Sequence, residues 1–373
     1  MTIQQFQFSS NEYLRRRQAT LRIADTVGAR RVLAFGENRS GLHVTYLNGW
    51  AVTRAAWLSL EQGSCRMWVQ FHNHIPYAQR VVHDTDVLDF HESMPSELFG
   101  SESVIATLGT VPAAVHARAQ ELGIELISID KAHIALRVRK SSEEVDALRM
   151  GAAVSDAGAR ALVAACVPGA TDWDLLAAAR STYTRLGGRD HICYICVTDA
   201  TAPDRDVPSQ VPEGRVLARN SIVTFELSAA VAPEYPGQIL RTVSLGEMTD
   251  RYQDLHATAM SSRAAMRSAC KPGVPSSDLV AAGSAIEAAG YTTTDDLFHG
   301  LGMGYLPPIG TSPSRIPSHV PEETLESGMA IVIQPNVTTA SHSAGVQTGE
   351  MIVVSDDGFE DIHQFPEGLV MAA

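Results

Sequence analysis

The sequence predicts an α+β fold with a pseudo-two-fold, curved antiparallel sheet, preceded by a smaller α/β domain. The main observation is an internal repeat, in which residues 165–179 and 269–283 share Ala-Cys, Pro-Gly and Asp-Leu at matching offsets. In both copies a helix is expected to end at Pro-Gly, another helix to begin soon after, and strands to follow. Two similar halves predict a sheet with helices on one face and a cleft between the halves.

The first 140 residues alternate between helical and strand patterns, which predicts a separate α/β domain. A helix is expected over "NEYLRRRQATLRIADTVGA", with its run of arginines on a solvated face. Strands are expected over "RRVLAFG" and "LHVTYLNGW", because both are rich in β-branched and aromatic residues. We assign residues 1–137 to this domain.

A capping box marks the start of the second domain. Ser141 and Glu144 have the spacing at which each side chain bonds the backbone of the other. A long helix should therefore begin there and end near Cys166. We assign residues 138–373 to the α+β domain.

Composition limits the classes of function. The 373 residues are 45% hydrophobic and 19% charged, which predicts a soluble globular chain with room for two cores. A net charge of −13 argues against a nucleic-acid partner, since phosphate binding needs clustered lysine and arginine. Neither a membrane span nor a signal peptide is visible, so we expect a cytoplasmic protein with a small-molecule substrate. Cys193 and Cys196 are expected to be reduced core residues of a strand.

The stretch "FHGLGMGY" places His299 beside three glycines. An imidazole is a metal ligand or an acid and base near neutral pH. Glycines allow a close approach of the backbone to another group. We expect these glycines to let a substrate approach the backbone next to His299.

Several short motifs follow one another along the chain: "VTYLNGW" in the N-terminal region, then "KSSEEVDALRMGAAVSDAGA", "VPEGRVLARNSIVTFEL", "YPGQILRT", "FHGLGMGY", "SGMAIVIQPNV" and "AGVQTGEMIVVSDDG". Their order resembles the pita-bread family of creatinase, aminopeptidase P and methionine aminopeptidase. The resemblance implies a pita-bread catalytic-like domain over 138–373 and a creatinase N-terminal-like domain over 1–137. It also implies a homodimer, because in the creatinase and aminopeptidase P branch the N-terminal domain completes the neighbour's site.

The resemblance also implies that the metal ligands are largely lost. In the metallopeptidases of this family two aspartates, one histidine and two glutamates hold two divalent ions. One carboxylate and one imidazole remain of these five ligands, and amides are poor ligands for catalytic metals. We therefore expect no metal and no other cofactor. The matching positions are Glu226, Gln238, His299, Gln334 and Gly349.

The function expected from this constellation is a metal-independent, creatinase-like hydrolase that cleaves a C–N bond of a small polar metabolite. His299 and Glu226 are the expected acid and base, with Glu226 orienting His299 or acting as its partner. The expectation for Arg54 rests on a looser resemblance, to an arginine that the creatinase branch brings from the neighbouring subunit. The candidate substrate-binding residues are Gln238, Gln334, Arg54, Arg241 and Tyr235.

Alternatives remain open for these residues. Glu226 and Arg241 can form an ion pair that maintains the fold, and the two glutamines can satisfy backbone groups. Tyr235 and Tyr305 can belong to the aromatic core, and Arg54 to the surface. The alternative functions are a lyase that uses the same acid and base, and a non-catalytic binding pseudoenzyme.

Overall fold

The computed structural model describes residues 6–90, 94–231, 234–314 and 322–372. The chain divides into two compact units, one comprising Gln7–Arg137 and the other beginning at Val138. Within the described residues, every helix is too short or too polar to cross a membrane.

The unit Gln7–Arg137 contains a mixed sheet flanked by helices. Its elements are α1 (Ser10–Asp25), β1 (Arg31–Gly36), α2 (Leu42–Asn48), β2 (Ala56–Glu61), β3 (Ser64–Gln70), α3 (Ile75–Val81), β4 (Asp86–Phe90), β5 (Val104–Leu108), α4 (Ala113–Leu122), β6 (Glu125–Ser128) and α5 (Asp130–Val138). The strand order is β4-β3-β2-β1-β5-β6, with β1 antiparallel to β2 and parallel to β5. Leu33, Trp57, Trp68 and Ile105 belong to its buried core.

Two sequence predictions for this unit are wrong. The segment "LHVTYLNGW" forms helix α2 rather than a strand, and Gly49 ends that helix with a φ of 87° that suits glycine. The arginine run is not uniformly solvated, because Arg16 is fully buried. Its Nε donates to Glu12 Oε1 at 2.8 Å, and its guanidinium lies 4.1 Å from the centroid of the Phe8 ring. Tertiary packing overrides local propensity and charge at both places.

Two neighbouring histidines make this unit sensitive to acid. The ring centroids of His43 and His133 lie 5.1 Å apart, and neither nitrogen of His133 has a hydrogen-bond partner among the described residues. Burial lowers the pKa of His43 from 6.5 to about 4 and the pKa of His133 to about 2. The unfolded chain binds protons on both residues at a higher pH than the folded unit does. Stability is therefore lost as the pH falls below about 6.5.

We expect the free energy of unfolding to fall by about 1.4 kcal/mol per pH unit for each histidine below about pH 6. Urea unfolding of the full chain measures this, with Trp50, Trp57 and Trp68 as fluorescent reporters in the unit. The His133→Phe variant keeps an aromatic ring but cannot be protonated, so its pH dependence should be shallower. An unchanged dependence in this variant would show that His133 does not titrate on unfolding.

The unit that begins at Val138 is built on an antiparallel sheet. Its elements are α6 (Ser142–Ala165), α7 (Asp172–Arg185), β7 (Arg189–Asp199), β8 (Ser221–Ala230), β9 (Pro236–Ser244), α8 (Asp250–Ala269), α9 (Ser276–Ala282), α10 (Ala285–Ala288), β10 (Thr292–Thr293), β11 (Phe298–Gly302), β12 (Gly304–Gly310), β13 (Ala330–Ile333), β14 (Val337–Thr338), β15 (Gly349–Val354), β16 (Phe359–Asp361) and β17 (Val370–Met371). The main sheet has the order β12-β11-β13-β15-β9-β8-β7. Strand β16 pairs with β15, β17 with β9, and β10 with β14.

The predicted helix and repeat are both present. Ser141 Oγ accepts from the backbone N–H of Glu144 at 3.2 Å, and the Glu144 carboxylate accepts from the N–H of Ser141 at 2.8 Å, so the capping box begins α6 as predicted. One copy of the repeat contributes α7 and β7 to β9, and the other contributes α9 and β11 to β15. A buried hydrophobic cluster accompanies each half. The α+β prediction is confirmed.

The cysteines of "HICYICV" lie in the core. Cys193 and Cys196 are buried on β7, and burial raises the pKa of each thiol to about 12. Residues three apart on a strand face opposite sides, which separates the two thiols. Both are free thiols, as the sequence predicted.

Candidate active site

Neighbouring strands bring four of the predicted site residues to one cavity of about 480 Å³. Glu226 lies on β8 opposite Leu240 of β9, so Gln238, two residues before Leu240, shares its face of the sheet. His299 lies on β11, which pairs with β13. Gln334 follows β13 directly, so its side chain enters the same cavity.

A chain of side-chain hydrogen bonds crosses the floor of this cavity. Gln238 Nε2 donates to Glu226 Oε1 at 2.8 Å and to Gln334 Oε1 at 3.1 Å. Gln334 Nε2 in turn donates to Asp295 Oδ2 at 3.0 Å. The two amides therefore link a carboxyl group at one end to a carboxylate at the other. Their partners are side chains, rather than the backbone groups considered as an alternative from the sequence.

His299 is held by groups other than Glu226. Its Nδ1 lies 3.1 Å from the carbonyl oxygen of Gly300, and a carbonyl only accepts, so Nδ1 carries the proton and Nε2 is an acceptor. The ring stacks on Tyr305, with centroids 4.1 Å apart and planes at 25°. The hydroxyl of Tyr305 donates to the carboxylate of Asp296. These contacts fix both the tautomer and the plane of the imidazole.

Burial shifts the two titratable groups of the site in opposite directions. The pKa of Glu226 rises from 4.5 to about 8, because the side chain is buried and because Asp295 places a negative charge nearby. The pKa of His299 falls from 6.5 to about 4, because burial outweighs its bonds to Gly300 and Gln334 and the charge of Asp296. At neutral pH Glu226 is a neutral acid and His299 is a neutral acceptor. Two groups whose pKa values are shifted apart in this way can act as the acid and the base of one reaction.

The glycines around His299 allow the close packing and the turn of the neighbouring strands. A side chain at Gly300 would lie 2.8 Å from the carbonyl oxygen of Leu306 on the neighbouring strand β12. Gly304 has a φ of 92° at the turn between β11 and β12. The expectation that these glycines expose backbone to a substrate is corrected: at Gly300 the close approach is made by the next strand.

Two predicted substrate-binding residues do not line the cavity. Arg241 is 1% exposed and donates from Nη2 to Glu350 Oε2 at 2.6 Å, so it belongs to a buried ion pair. Tyr235 is also 1% exposed, and its hydroxyl donates to Glu144 Oε1 at 2.5 Å. Their expected contacts with substrate are corrected, since both side chains are used inside the fold. Arg54 lies in the other unit, where Nη1 donates to Asn38 Oδ1 at 3.2 Å, and its role stays a prediction.

Sequence reasoning missed several residues of the cavity. For Tyr305 the sequence favours packing in the aromatic core over contact with a ligand, whereas the side chain is 51% exposed and lines the cavity. Asp295 had a visible signal, because it forms an acidic pair with Asp296 just ahead of "FHGLGMGY". The others carried no signal in the sequence. The further lining residues include Tyr194, Gln210, Thr294, Leu301 and Gln347.

The antiparallel sheet with flanking helices, preceded by a separate N-terminal unit, is the architecture of the pita-bread fold. Residues 146–356 match the model of metallopeptidase family M24, which is more than half of the chain. The chain therefore belongs to metallopeptidase family M24, and the resemblance found in its motifs is confirmed.

Individual relatives agree with this assignment. The chain is 26% identical over 257 residues to the uncharacterized peptidase YqhT of Bacillus subtilis, covering 66% of this chain and 68% of that protein. The prolidase from Pyrococcus horikoshii OT3 matches with a TM-score of 0.81 and 16% identity, over 95% of this chain and 99% of that one. The dipeptidase PepE from Mycobacterium ulcerans matches with a TM-score of 0.80 and 20% identity, over 98% of this chain and 100% of that one. These structures confirm the pita-bread fold, with its curved antiparallel sheet and N-terminal domain.

The residues of this cavity do not fit a two-metal centre. Gln238 and Gln334 direct amide N–H groups at neighbouring oxygens, so their nitrogens offer no lone pair to a cation. Gly349 offers no side chain at all. Among the described residues, no group of three or more histidine, cysteine, aspartate or glutamate side chains is placed to hold a metal ion. Glu226 and Asp295 are the carboxyl groups among the described residues that line the cavity, so four carboxylates are not available there to balance the charge of two divalent ions.

Proposed function

We propose that this chain is a hydrolase that cleaves a C–N bond of a small polar substrate without a metal. Glu226 is the general acid and His299 accepts the proton of the attacking water. The observation that carries the proposal is that a carboxyl group and an imidazole, Glu226 and His299, are both buried in the lining of one cavity, where burial raises the pKa of the first and lowers the pKa of the second. Membership of a peptidase family supports hydrolysis as the reaction, and relatives named as dipeptidase and prolidase support a C–N bond as the target.

The proposed reaction follows from the positions of two protons. Gln238 donates to Oε1 of Glu226, which leaves Oε2 to carry the acidic proton. A water bound to Nε2 of His299 attacks the carbon of the C–N bond, and its proton passes to Nε2. Glu226 donates its proton to the nitrogen as the C–N bond breaks. The proton on His299 then returns to Glu226 through solvent, so the net change is the addition of water.

The acidic side chains beside His299 support this sequence of steps. Protonation of His299 creates a positive charge in a buried position, which burial alone opposes. The charge of Asp296 favours the protonated ring. Asp296 thus stabilises the imidazolium for the short time that it exists, without making it the resting form.

Turnover in the presence of a chelator tests the proposal. We expect release of amine or ammonia from a member of a panel of dipeptides, primary amides and amidines, at the same rate with EDTA or with added manganese. Incorporation of ¹⁸O from labelled water into the product separates hydrolysis from elimination by a lyase. Activity that appears only with manganese, cobalt or zinc would overturn the metal-free proposal. A lack of any turnover with every member of the panel, with or without metal, would favour a binding pseudoenzyme.

The oligomeric state is part of the same proposal. The homodimer expected from the family resemblance, and with it the contact of Arg54 with substrate, stays a prediction. Sedimentation equilibrium of the full chain tests it directly.

A further inference from the structure

Two tyrosines line the cavity from opposite edges of the main sheet. Strand β7, which carries Tyr194, is one edge of that sheet, and strand β12, which carries Tyr305, is the other. Because the sheet is curved, its two edges contribute to the same cavity. Tyr194 is half-buried and Tyr305 is 51% exposed, so a molecule in the cavity can reach both side chains.

Each tyrosine lies next to one of the two proposed catalytic groups. Tyr194 is directly opposite Glu226 on the adjacent strand β8, so both side chains stand on the same face of the sheet. The ring of Tyr305 stacks on His299, with centroids 4.1 Å apart. A group that contacts both tyrosines would therefore be held beside the bond that Glu226 and His299 are proposed to cleave.

Apolar side chains surround the tyrosines. Ile192 shares the face of β7 with Tyr194, since it precedes that residue by two positions. Val207 and Pro208 lie in the connection between β7 and β8 and line the same cavity. The floor of the cavity, in contrast, carries Glu226 and the two bonded amides. A ligand that fills this cavity therefore needs a polar group for the floor and an apolar group for the wall.

The charges of the cavity do not suit a carboxylate. None of the described residues that line it is a lysine or an arginine. The carboxylate of Asp295 would repel an anion, and Nε2 of His299 is an acceptor because its Nδ1 donates to a carbonyl. Burying a carboxylate without a cationic partner is costly. The cavity therefore disfavours a substrate with a free carboxylate.

We propose that Tyr194 and Tyr305 form an aromatic subsite, which binds the flat apolar group of a substrate that has no free carboxylate. Aromatic groups pack on tyrosine rings in offset or edge-to-face contacts, which an aliphatic group of similar size cannot reproduce. The substrate class is a carboxamide that carries an aryl or arylalkyl group. This inference deepens the proposed function, on which it rests for treating the cavity as the active site.

Binding of four small molecules tests the subsite without turnover. Benzamide, cyclohexanecarboxamide, acetamide and benzoate are each titrated into the full chain with EDTA present, and binding is followed by ligand-observed NMR. We expect benzamide to bind about 10-fold or more tightly than acetamide, because it buries more apolar surface. It should bind about three-fold or more tightly than cyclohexanecarboxamide, because only benzamide makes ring contacts.

Benzoate tests the second half of the proposal. It has the ring of benzamide but a charge with no cationic partner in the described lining, so it should bind about 10-fold or more weakly than benzamide. Equal binding of benzamide and cyclohexanecarboxamide would overturn the aromatic assignment. Benzoate that binds as tightly as benzamide would overturn the exclusion of a carboxylate.

Substitutions assign the effect to the two tyrosines. Tyr194→Leu and Tyr305→Leu each remove a ring but keep an apolar side chain, and each should weaken benzamide binding about five-fold. Acetamide binding should stay within about two-fold in Tyr194→Leu, which guards against a loss caused by misfolding. Tyr194→Phe retains the ring and should bind benzamide as the wild type does. Tyr77→Leu is the matched control, because Tyr77 is 47% exposed and belongs to the other unit, and it should leave benzamide binding unchanged.

The outcomes separate this inference from the proposed function. Benzamide binding that depends on Tyr194, with no turnover of any member of the panel, would reject the hydrolase but retain the subsite. Metal-free turnover combined with equal binding of benzamide and acetamide would reject the subsite and retain the hydrolase. Equal benzamide binding by Tyr194→Leu and the wild type would remove Tyr194 from the site.

Discussion

Replacing Glu226 by glutamine lowers kcat by about 100- to 10,000-fold, the range that a general acid contributes. Glutamine keeps the shape of the side chain and an oxygen that can accept from Gln238, as Glu226 does at 2.8 Å. It cannot donate a proton of useful acidity to a leaving nitrogen. The comparison of kcat for the wild type and Glu226→Gln, with any substrate found by the panel, measures this. Full activity in the variant would show that Glu226 is not the acid.

The pH profile distinguishes a lost acid from a disturbed site. In the wild type, kcat/KM should fall above about pH 8, where Glu226 loses its proton, and below about pH 4, where His299 gains one. In Glu226→Gln the residual activity should keep the acid limb and lose the alkaline limb. An alkaline limb that persists in the variant would assign it to another group.

The same substitution should stabilise the fold in alkaline solution. The folded pKa of Glu226 is raised from 4.5 to about 8, so between these values the unfolded chain releases a proton that the folded chain retains. The contribution of Glu226 to stability is present below about pH 4.5 and is lost as the pH rises through about 8. At higher pH the variant, which has no carboxylate to bury, should be more stable by about 3 to 5 kcal/mol. Lower activity together with higher stability cannot result from misfolding.

The fold could be predicted from the sequence wherever interactions between residues close in sequence determine the helix and strand boundaries. The capping box at Ser141 and the repeat fixed the helix starts and strand groups of the second unit, because both act through nearby residues. Helix α2 was not predictable in this way. Its residues have strand propensity, but they are buried as a helix that Gly49 terminates. Such a choice depends on the packing of distant elements.

The sequence predicted which residues line the site better than it predicted what each of them contacts. The order of motifs located Glu226, Gln238, His299 and Gln334, which the structure brings to one cavity. Strand geometry would have excluded Arg241, since residues three apart on β9 face opposite sides and Gln238 faces the cavity. The partners of Glu226 and His299 could not be predicted, because they join strands that are distant in sequence. Gln347 also lines the cavity, and its place there depends on the tertiary fold because it is distant in sequence from Glu226 and His299.

Replacing Gly349 by alanine should destabilise the second unit by about 3 kcal/mol or more, because its Cβ would enter the backbone of the neighbouring strand. An ideal Cβ at this position meets the carbonyl oxygen of Ile333 and lies 2.9 Å from Cα of Gln334. Backbone atoms of a central strand cannot move aside as the end of a flexible side chain can. Relief would come from a shift of β13, which carries Gln334 with it.

Urea unfolding and turnover of Gly349→Ala measure the two consequences together. Displacing Gln334 breaks its bonds to Gln238 and Asp295, so residual activity should fall with stability. Gly358→Ala is the matched control, because its Cβ meets no atom within 4 Å, and it should leave both quantities nearly unchanged. Equal stability of the two variants would show that the backbone next to Gly349 can move enough to accept a methyl group. If Gly349→Ala is destabilised as expected, a larger side chain at this position, such as the glutamate that the family resemblance implies for the metallopeptidases, would also require β13 to move.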